Sequence, residues 1–163
     1  MLLGYHAGMT IAQPAVPQVD HLALERQVCF ALSVASRGVV AAYRPVLEPL
    51  GLSHPQYLVM LALWGSPPLS LRSLSERLRL EPATLSPLVK RLEAAGLVER
   101  TRRPDDERTL SITLTERGAA LREEALAVPT TMAARLGLEE VELRQLNELM
   151  TRLIEAVDRV AVA

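Results

Sequence analysis

Apolar and polar positions alternate at helical spacing in two successive stripes within residues 69–114. The first stripe predicts a helix over residues 71–79, for which Ser70 is a suitable N-cap. The second stripe predicts a helix over residues 82–95 that ends at Gly96, a residue type that often closes helices. The apolar positions are Leu71, Leu74 and Leu78 in the first stripe, and Leu85, Leu88, Val89 and Leu92 in the second.

Two short strands are predicted after these helices, over residues 97–101 and 109–113, with the charged loop RRPDDER between them. Helix, turn, helix and hairpin in this order favour a winged helix-turn-helix, which binds DNA. The alternative is a small α+β packing unit with a solvated charged hairpin. The predicted fold class is therefore mainly α with a small β-hairpin wing, flanked by N- and C-terminal dimerisation helices.

The rest of the chain divides into regions by composition and periodicity. Residues 1–19 contain glycine and proline without helical spacing and are expected to be a flexible arm. Residues 20–51 are expected to form an N-terminal dimerisation helix. The DNA-binding region, residues 52–114, begins with a buried helix capped by Ser53. Residues 115–163 are expected to form C-terminal dimerisation helices.

Individual helices of the flanking regions follow from their apolar spacing. One long helix is predicted over residues 21–47. After the wing, Thr115 is a suitable N-cap for a helix through Leu126, which Pro129 ends or bends. A last helix is predicted over residues 139–160. Broad apolar faces on the terminal helices favour a homodimer, and the alternative is intramolecular packing in a monomer.

Composition and charge restrict the partners only weakly. The chain of 163 residues is 49% hydrophobic and 3% aromatic, which suits helices better than a sandwich. A net charge of −1 provides no general attraction to nucleic acid. Nine of the 18 basic residues nevertheless lie in residues 69–114, namely Arg72, Arg77, Arg79, Lys90, Arg91, Arg100, Arg102, Arg103 and Arg108.

A single cysteine, Cys29, excludes a disulfide or a cysteine-based metal cluster within one chain. The three histidines lack metal-binding spacing, so we expect neither a metal nor another cofactor. No apolar run reaches membrane-spanning length, and the N-terminal MLLGYHAGM lacks the positive start of a signal peptide. We therefore expect a cytoplasmic protein without a membrane partner.

The second helix of the motif is expected to lie in the major groove with its N-terminal residues nearest the base edges. Thr84 and Ser86 can bond to several bases or to phosphate. Lys90 and Arg91 are expected on the DNA backbone, and solvated surface charge is the alternative for each. Pro87 is compatible with a helix that effectively starts near Thr84. The candidate DNA-binding residues here are Glu81, Pro82, Thr84, Ser86, Lys90 and Arg91.

The predicted wing carries three arginines, Arg102, Arg103 and Arg108, that can contact phosphates or enter the minor groove. Acidic residues between them would repel DNA if they were free. We therefore expect Asp106 to brace Arg108 or another arginine and to hold the wing tip in shape. The alternative is a solvent-exposed charged hairpin.

Two segments resemble a known family. TLSPLVKRLEAAGLVERTRRPDDERTLSITLTERG resembles the recognition helix and wing of the MarR family of transcription regulators, and Asp106-x-Arg108 matches that family's wing signature. QVCFALSVASRGVVAAYRPVLEPLGLSHPQYLVMLALW is similar to the organic-hydroperoxide-resistance regulators, a subgroup that senses peroxide through one cysteine. The resemblance implies a homodimeric repressor on a pseudo-palindromic double-stranded DNA operator, and not an enzyme.

The same resemblance implies that Cys29 is the sensor. In the subgroup the thiolate is oxidised to a sulfenic acid, which can form a mixed disulfide with a small thiol. Tyrosines of the partner subunit hydrogen-bond the reduced sulfur. Tyr43 lies on nearly the same helix face as Cys29 but about 21 Å along the axis, so the contact would form between subunits. Without the resemblance, Cys29 is better interpreted as an inert small hydrophobe.

The chain departs from the subgroup's pattern at three places. His54 stands where a second tyrosine is usual, and Ser33 replaces a further tyrosine one turn after Cys29. A protonated His54 would favour the thiolate, a neutral His54 could still donate a hydrogen bond, and the alternative is that it only flanks the cap at Ser53. Pro82-Ala83 replaces a usual Ser-Gly, so the operator sequence is expected to differ.

Three functions are compatible with these features. The first is a repressor that leaves its operator when organic hydroperoxide oxidises Cys29. The second is a MarR-type repressor released by a small lipophilic or aromatic ligand, with a structural Cys29. The third, a thiol peroxidase, would have to reduce its sulfenic acid without a second cysteine in the chain.

Overall fold

The computed structural model describes residues 20–103 and 106–161, without the side chains of residues 102–109. The arm predicted over residues 1–19 lies outside the described residues. Two compact units divide the chain between Arg37 and Gly38.

Helices make up most of the described chain, and a small antiparallel sheet completes it, which confirms the predicted fold class. The helices and strands in chain order are α1 (Val28–Leu47), α2 (His54–Gly65), β1 (Leu69–Ser70), α3 (Leu71–Leu78), α4 (Pro82–Ala94), β2 (Val98–Arg103), β3 (Asp106–Leu114), α5 (Glu116–Ala125), α6 (Ala127–Leu136) and α7 (Glu140–Ala161). Short 3₁₀ helices occupy Leu24–Arg26 and Glu48–Leu50.

The predicted caps set the helix boundaries of the DNA-binding region. Ser53 N donates to Gln56 Oε1 over 2.9 Å at the start of α2. Ser70 Oγ accepts from Ser73 N over 3.0 Å at the start of α3. Gly96 follows α4 with a φ of 69°, a left-handed conformation that suits glycine. The helix-turn-helix is therefore bounded where the sequence pattern predicts.

The three strands form an antiparallel sheet in the order β1-β3-β2. Leu69 lies opposite Ile112, and Val98 lies opposite Leu114. The wing strands are longer than predicted, because backbone pairing continues into the charged positions, where apolar alternation is absent. β1 was not predicted, since two residues are too short to show a period.

The core lies between α2 and the helix-turn-helix. Leu63, Leu74, Leu85, Leu92 and Ile112 are fully buried in it. Three of these residues belong to the two apolar stripes found in the sequence, so the stripes do face inward. Packing of α3 and α4 on α2 and the sheet leaves the polar face of α4 free.

The N-terminal helix begins later than predicted, at Val28 and not at residue 21. Gln27 interrupts the helical pattern with an extended backbone of φ −83° and ψ 119°. Its Nε2 donates to the carbonyl of His21 over 2.7 Å, a local bond that competes with a regular helix. Cys29 consequently lies in the first turn of α1.

The helix predicted after the wing, capped by Thr115 and running through Leu126, corresponds to α5, and α6 is a further helix that was not predicted. α5 ends at Ala125, and α6 begins at Ala127. Pro129 lies four residues after Ala125, in the first turn of α6, and has no N–H to donate to the carbonyl of Ala125. The end of α5 therefore agrees with the prediction that Pro129 ends or bends the helix.

α7 matches the last predicted helix and contains no buried residue within Glu140–Ala161. Its exposed apolar side chains are Val141, Leu146, Leu149, Ile154, Val157 and Val160. Within the described residues, no helix combines the length and apolar composition needed to span a bilayer.

Candidate nucleic-acid interface and sensor residues

The start of α4 is the exposed end of the recognition helix. Glu81 precedes the helix with an extended backbone, and Pro82 and Thr84 follow in the first turn, all three exposed. Ser86 is half-buried. Leu85 and the rest of the apolar stripe anchor the opposite face in the core. The structure thus presents Glu81, Pro82 and Thr84 to solvent and Ser86 only in part, and their contacts with DNA stay a prediction.

Lys90 and Arg91 are exposed further along α4. Between the two groups, Pro87 lies inside the helix, because α4 begins at Pro82 and not near Thr84. Pro87 has no N–H to donate to the carbonyl of Ala83, and Ala83 is exposed, so water can satisfy that carbonyl. The proline is therefore tolerated for a reason that the sequence analysis did not identify.

An ion pair links the recognition helix to the wing. Arg100 on β2 donates through Nε to Glu93 Oε2 over 2.9 Å, and the two side chains are 31% and 34% exposed. The hydrogen bond from this guanidinium lowers the pKa of Glu93, and the same bond raises the pKa of Arg100. The pair fixes the end of α4 against the first strand of the wing. Sequence analysis missed it, because only the fold shows that the chain returns past Glu93.

The two wing strands, β2 and β3, pair with an irregular backbone register. Arg102 lies opposite Leu110, and Arg103 opposite Asp106, with an irregular register between the two pairs. The side chains of Arg102, Arg103, Asp106 and Arg108 lie outside the described residues, and so does the expected brace between Asp106 and Arg108. Their roles stay predictions.

Cys29 is an exposed free thiol, the second residue of α1. Ser33 is also exposed, one turn further along the helix. Both residues belong to the compact unit that ends at Arg37. An oxidant could therefore reach Cys29 in a single chain.

The second compact unit holds a row of aromatic rings. Tyr43 and His54 have ring centroids 5.0 Å apart, and Tyr43 and Tyr57 are 6.0 Å apart. Tyr57 continues to Trp64 at 6.3 Å in an edge-on arrangement. The structure thus brings two of the predicted sensor-supporting residues together and adds Tyr57. Tyr57 was not among the predicted sensor residues, because it lies among apolar residues of a helix whose pattern predicts a buried core helix.

Burial favours the uncharged forms of His54 and Tyr57. It lowers the pKa of His54 and is the main reason that the pKa of Tyr57 is raised, with the negative charge of an ionised Tyr43 as a second reason. A protonated His54, one of the two forms considered above, is therefore disfavoured. The neutral imidazole, which can still donate a hydrogen bond, is the relevant form.

A groove with a cavity volume of ≈ 270 Å³ lies along the end of this row. Tyr57, Leu61, Trp64 and Leu126 provide mostly apolar walls, and Arg122 adds a cation. The groove suits a small aromatic molecule that carries a negative charge. Among the described residues, no three His, Cys, Asp or Glu side chains are grouped closely enough to hold a metal ion.

Comparison with known proteins identifies the family. Residues 52–110 match the sequence profile of the MarR family. An organic hydroperoxide resistance transcriptional regulator of Bacillus subtilis is 39% identical over 138 residues, which cover 85% of this chain and 94% of the relative. The chain belongs to the MarR family.

Solved structures of AbfR from Staphylococcus epidermidis are also similar to this MarR family chain. Reduced AbfR bound to DNA is 33% identical with a TM-score of 0.74, over 84% of this chain and 94% of AbfR. Overoxidised AbfR bound to DNA is 34% identical with a TM-score of 0.66, over 82% of this chain and 94% of AbfR.

Family membership settles the class of protein. MarR family members are dimeric, DNA-binding transcriptional regulators and not enzymes. The prediction of a DNA-binding regulator is therefore confirmed, and the thiol peroxidase is excluded as a function.

Proposed function

We propose that this MarR family regulator is a cytoplasmic homodimeric repressor that senses organic hydroperoxide through Cys29 and leaves its operator when that thiol is oxidised. The observation that carries the proposal is the exposure of the chain's one thiol in the first turn of α1. The similarity to a hydroperoxide resistance regulator and to AbfR, whose solved structures include reduced, overoxidised and disulfide forms, supports it.

The sensing step oxidises sulfur by two electrons. The thiolate of Cys29 attacks one peroxide oxygen, a sulfur–oxygen bond forms and the oxygen–oxygen bond breaks. The leaving alkoxide takes up a proton and departs as an alcohol, and Cys29 becomes a sulfenic acid. A small thiol can then displace water from the sulfenic acid to give a mixed disulfide.

In this proposal, residues 20–51 form the sensor and dimerisation region, residues 52–114 bind DNA, and residues 115–163 complete the dimer. Tyr43 and a neutral His54, whose rings are in contact, are the hydrogen-bond donors that stabilise the reduced sulfur across the dimer. Ser33 supplies a hydroxyl one turn from Cys29. Oxidation adds polar bulk among the dimer helices, so the two recognition helices lose their matched spacing.

On DNA, the exposed start of α4 is proposed to read bases through Thr84 and Ser86, next to Glu81 and Pro82. Lys90 and Arg91 would contact phosphates. The wing arginines Arg102, Arg103 and Arg108 would contact the minor groove and its phosphates, with Asp106 holding their geometry. Two such half-sites require a pseudo-palindromic operator.

The test measures binding to a duplex from the region upstream of the protein's own coding sequence, by fluorescence anisotropy with cumene hydroperoxide. We expect oxidised wild-type protein to bind at least about tenfold more weakly, a typical allosteric coupling. Cys29→Ser should bind normally and ignore the peroxide. Mass spectrometry must distinguish sulfenic acid from overoxidised sulfur, because AbfR has been crystallised on DNA in its overoxidised form.

The groove beside Tyr57 and Trp64 supports a second candidate function, release by a small aromatic anion that pairs with Arg122. A Cys29→Ser protein that is still released by hydroperoxide would contradict redox sensing. Release of that variant by benzoate-type compounds, abolished by Arg122→Gln, would favour the ligand.

A further inference from the structure

The C-terminal helix is joined to the helix-turn-helix by a two-pronged ion pair. Arg79 Nη1 lies 2.6 Å from Asp158 Oδ1, and Arg79 Nη2 lies 2.8 Å from Asp158 Oδ2. The side chains are 59% and 47% exposed. A bidentate arginine–carboxylate pair fixes orientation as well as distance. The guanidinium also lowers the pKa of Asp158, so the pair is fully charged near neutral pH.

Arg79 occupies the turn of the motif itself. It follows α3 directly and precedes the first residue of α4 by only three positions. Its backbone is left-handed, with φ 53° and ψ 41°, which is uncommon for a residue with a large side chain. A shift of the Arg79 side chain therefore acts on the short segment that sets where the recognition helix begins.

Asp158, the partner of Arg79 in this ion pair, lies on α7. No residue of α7 is buried, and among the side chains that the structure describes no other ion pair joins α7 to another element. The exposed apolar residues of α7 are the ones that the proposed dimer covers. The position of this helix thus depends on the dimer, and its link to the DNA-reading turn is the ion pair.

We propose that Asp158 is a positioning residue for DNA recognition, which holds the turn between α3 and α4 through Arg79 and so aligns the recognition helix with the dimer helix α7. The inference rests on the proposed function, in which α7 contributes to the dimer. It adds a connection between dimer geometry and the reading surface.

The direction of the change in DNA affinity distinguishes this proposal from a simple charge effect. Asp158→Asn removes a negative charge, and this change alone strengthens the general attraction to DNA. Loss of positioning weakens specific binding. The two effects have opposite signs. Glu155, which is exposed one turn earlier on α7, allows Glu155→Gln as a control with the same change in charge.

The experiment uses the duplex that the full-length wild-type protein selects from a randomised pool. We expect Asp158→Asn to weaken specific binding about five- to tenfold, since each dimer carries two such pairs. Glu155→Gln should stay within about twofold of wild type or bind slightly more tightly. Sedimentation and urea unfolding monitor whether each variant remains a folded dimer.

A charge exchange provides the second readout. In Arg79→Asp combined with Asp158→Arg, aspartate tolerates the left-handed position and the pair can form in reverse. We expect recovery to within about threefold of wild-type affinity. The inference is overturned if Asp158→Asn and Glu155→Gln bind the duplex with equal affinity. It is also overturned if the double variant binds more weakly than Arg79→Asp alone and Asp158→Arg alone. A wild-type protein that selects no duplex instead refutes the proposed function.

Discussion

At Gly118 the backbone of α5 closely approaches the backbone of Leu97. A Cβ at this residue would lie 1.9 Å from the carbonyl oxygen of Leu97. Gly118 N also donates to Thr115 Oγ1 over 3.0 Å, and its carbonyl accepts from Trp64 Nε1 over 2.9 Å. The glycine therefore lets α5 contact both the start of the wing and the end of α2.

Gly118→Ala should destabilise the fold by about 3 kcal/mol, because the clash is with backbone and cannot be relieved by a side-chain rotation. Gly65→Ala is the matched control. Its Cβ would meet only the flexible end of Arg77, at 3.6 Å. Urea unfolding of the two variants measures the difference, and equal stabilities would show that α5 and Leu97 separate without cost.

His54 provides a prediction about pH. Burial lowers its pKa in the folded protein, so the unfolded chain binds the proton more readily. The contribution of His54 to the free energy of unfolding should therefore be constant above pH 6.5, the usual pKa of histidine. It should fall as the pH decreases from 6.5 toward the lower pKa that His54 has in the folded protein. His54→Asn should lack this part of the decline. Free energies of unfolding across the range test it, and parallel curves for both proteins would contradict it.

Among the elements, those with a complete apolar stripe and a recognisable cap were predictable. Ser53, Ser70 and Gly96 bound their helices as the sequence indicates, because capping depends on residues within a few positions. Leu74 and Leu85 then bury the faces that the spacing identifies. Local chemistry is sufficient for these elements.

Other features depend on contacts between residues that are distant in sequence, or involve segments too short to show a periodic pattern. β1 exists because Leu69 and Ser70 pair with β3, more than 40 residues later. The break at Gln27 depends on the direction that its own side chain takes. In the candidate site, Tyr57 and the pair between Glu93 and Arg100 were missed because only the folded chain brings their partners to them.

The recognition helix yields a prediction about salt. If Lys90 contacts a phosphate, Lys90→Gln removes two such contacts per dimer, and the slope of log affinity against log salt concentration should decrease by about 1.8. Arg144→Gln on α7 makes the same change in charge and should leave the slope nearly unchanged. Anisotropy titrations at several salt concentrations measure both slopes. Equal slopes for the two variants would mean that Lys90 is only solvated surface charge.

At the scale of the whole molecule, the proposed regulation depends on a fixed distance between the two recognition helices of the dimer. The DNA-reading surface is anchored in a core that α2, the helix-turn-helix and the sheet share with Leu47 of α1 and Met132 of α6. The proposed sensor residues and α7 lie outside the helix-turn-helix. In the proposed mechanism, oxidation of Cys29 changes the distance between two reading surfaces that both stay folded.

This arrangement predicts that the apolar face of α7 maintains both the dimer and DNA binding. Leu149 is 55% exposed in the single chain, and Asn147 is exposed on the opposite side of the same helix. Leu149→Glu would place a charge in the covered face and should give monomers at micromolar concentration by sedimentation. Its affinity for the operator duplex should fall at least about tenfold, because a monomer reads one half-site. Asn147→Glu adds the same charge to the solvated side and should remain a dimer with nearly normal affinity. A dimeric Leu149→Glu protein with intact binding would show that the dimer is held elsewhere.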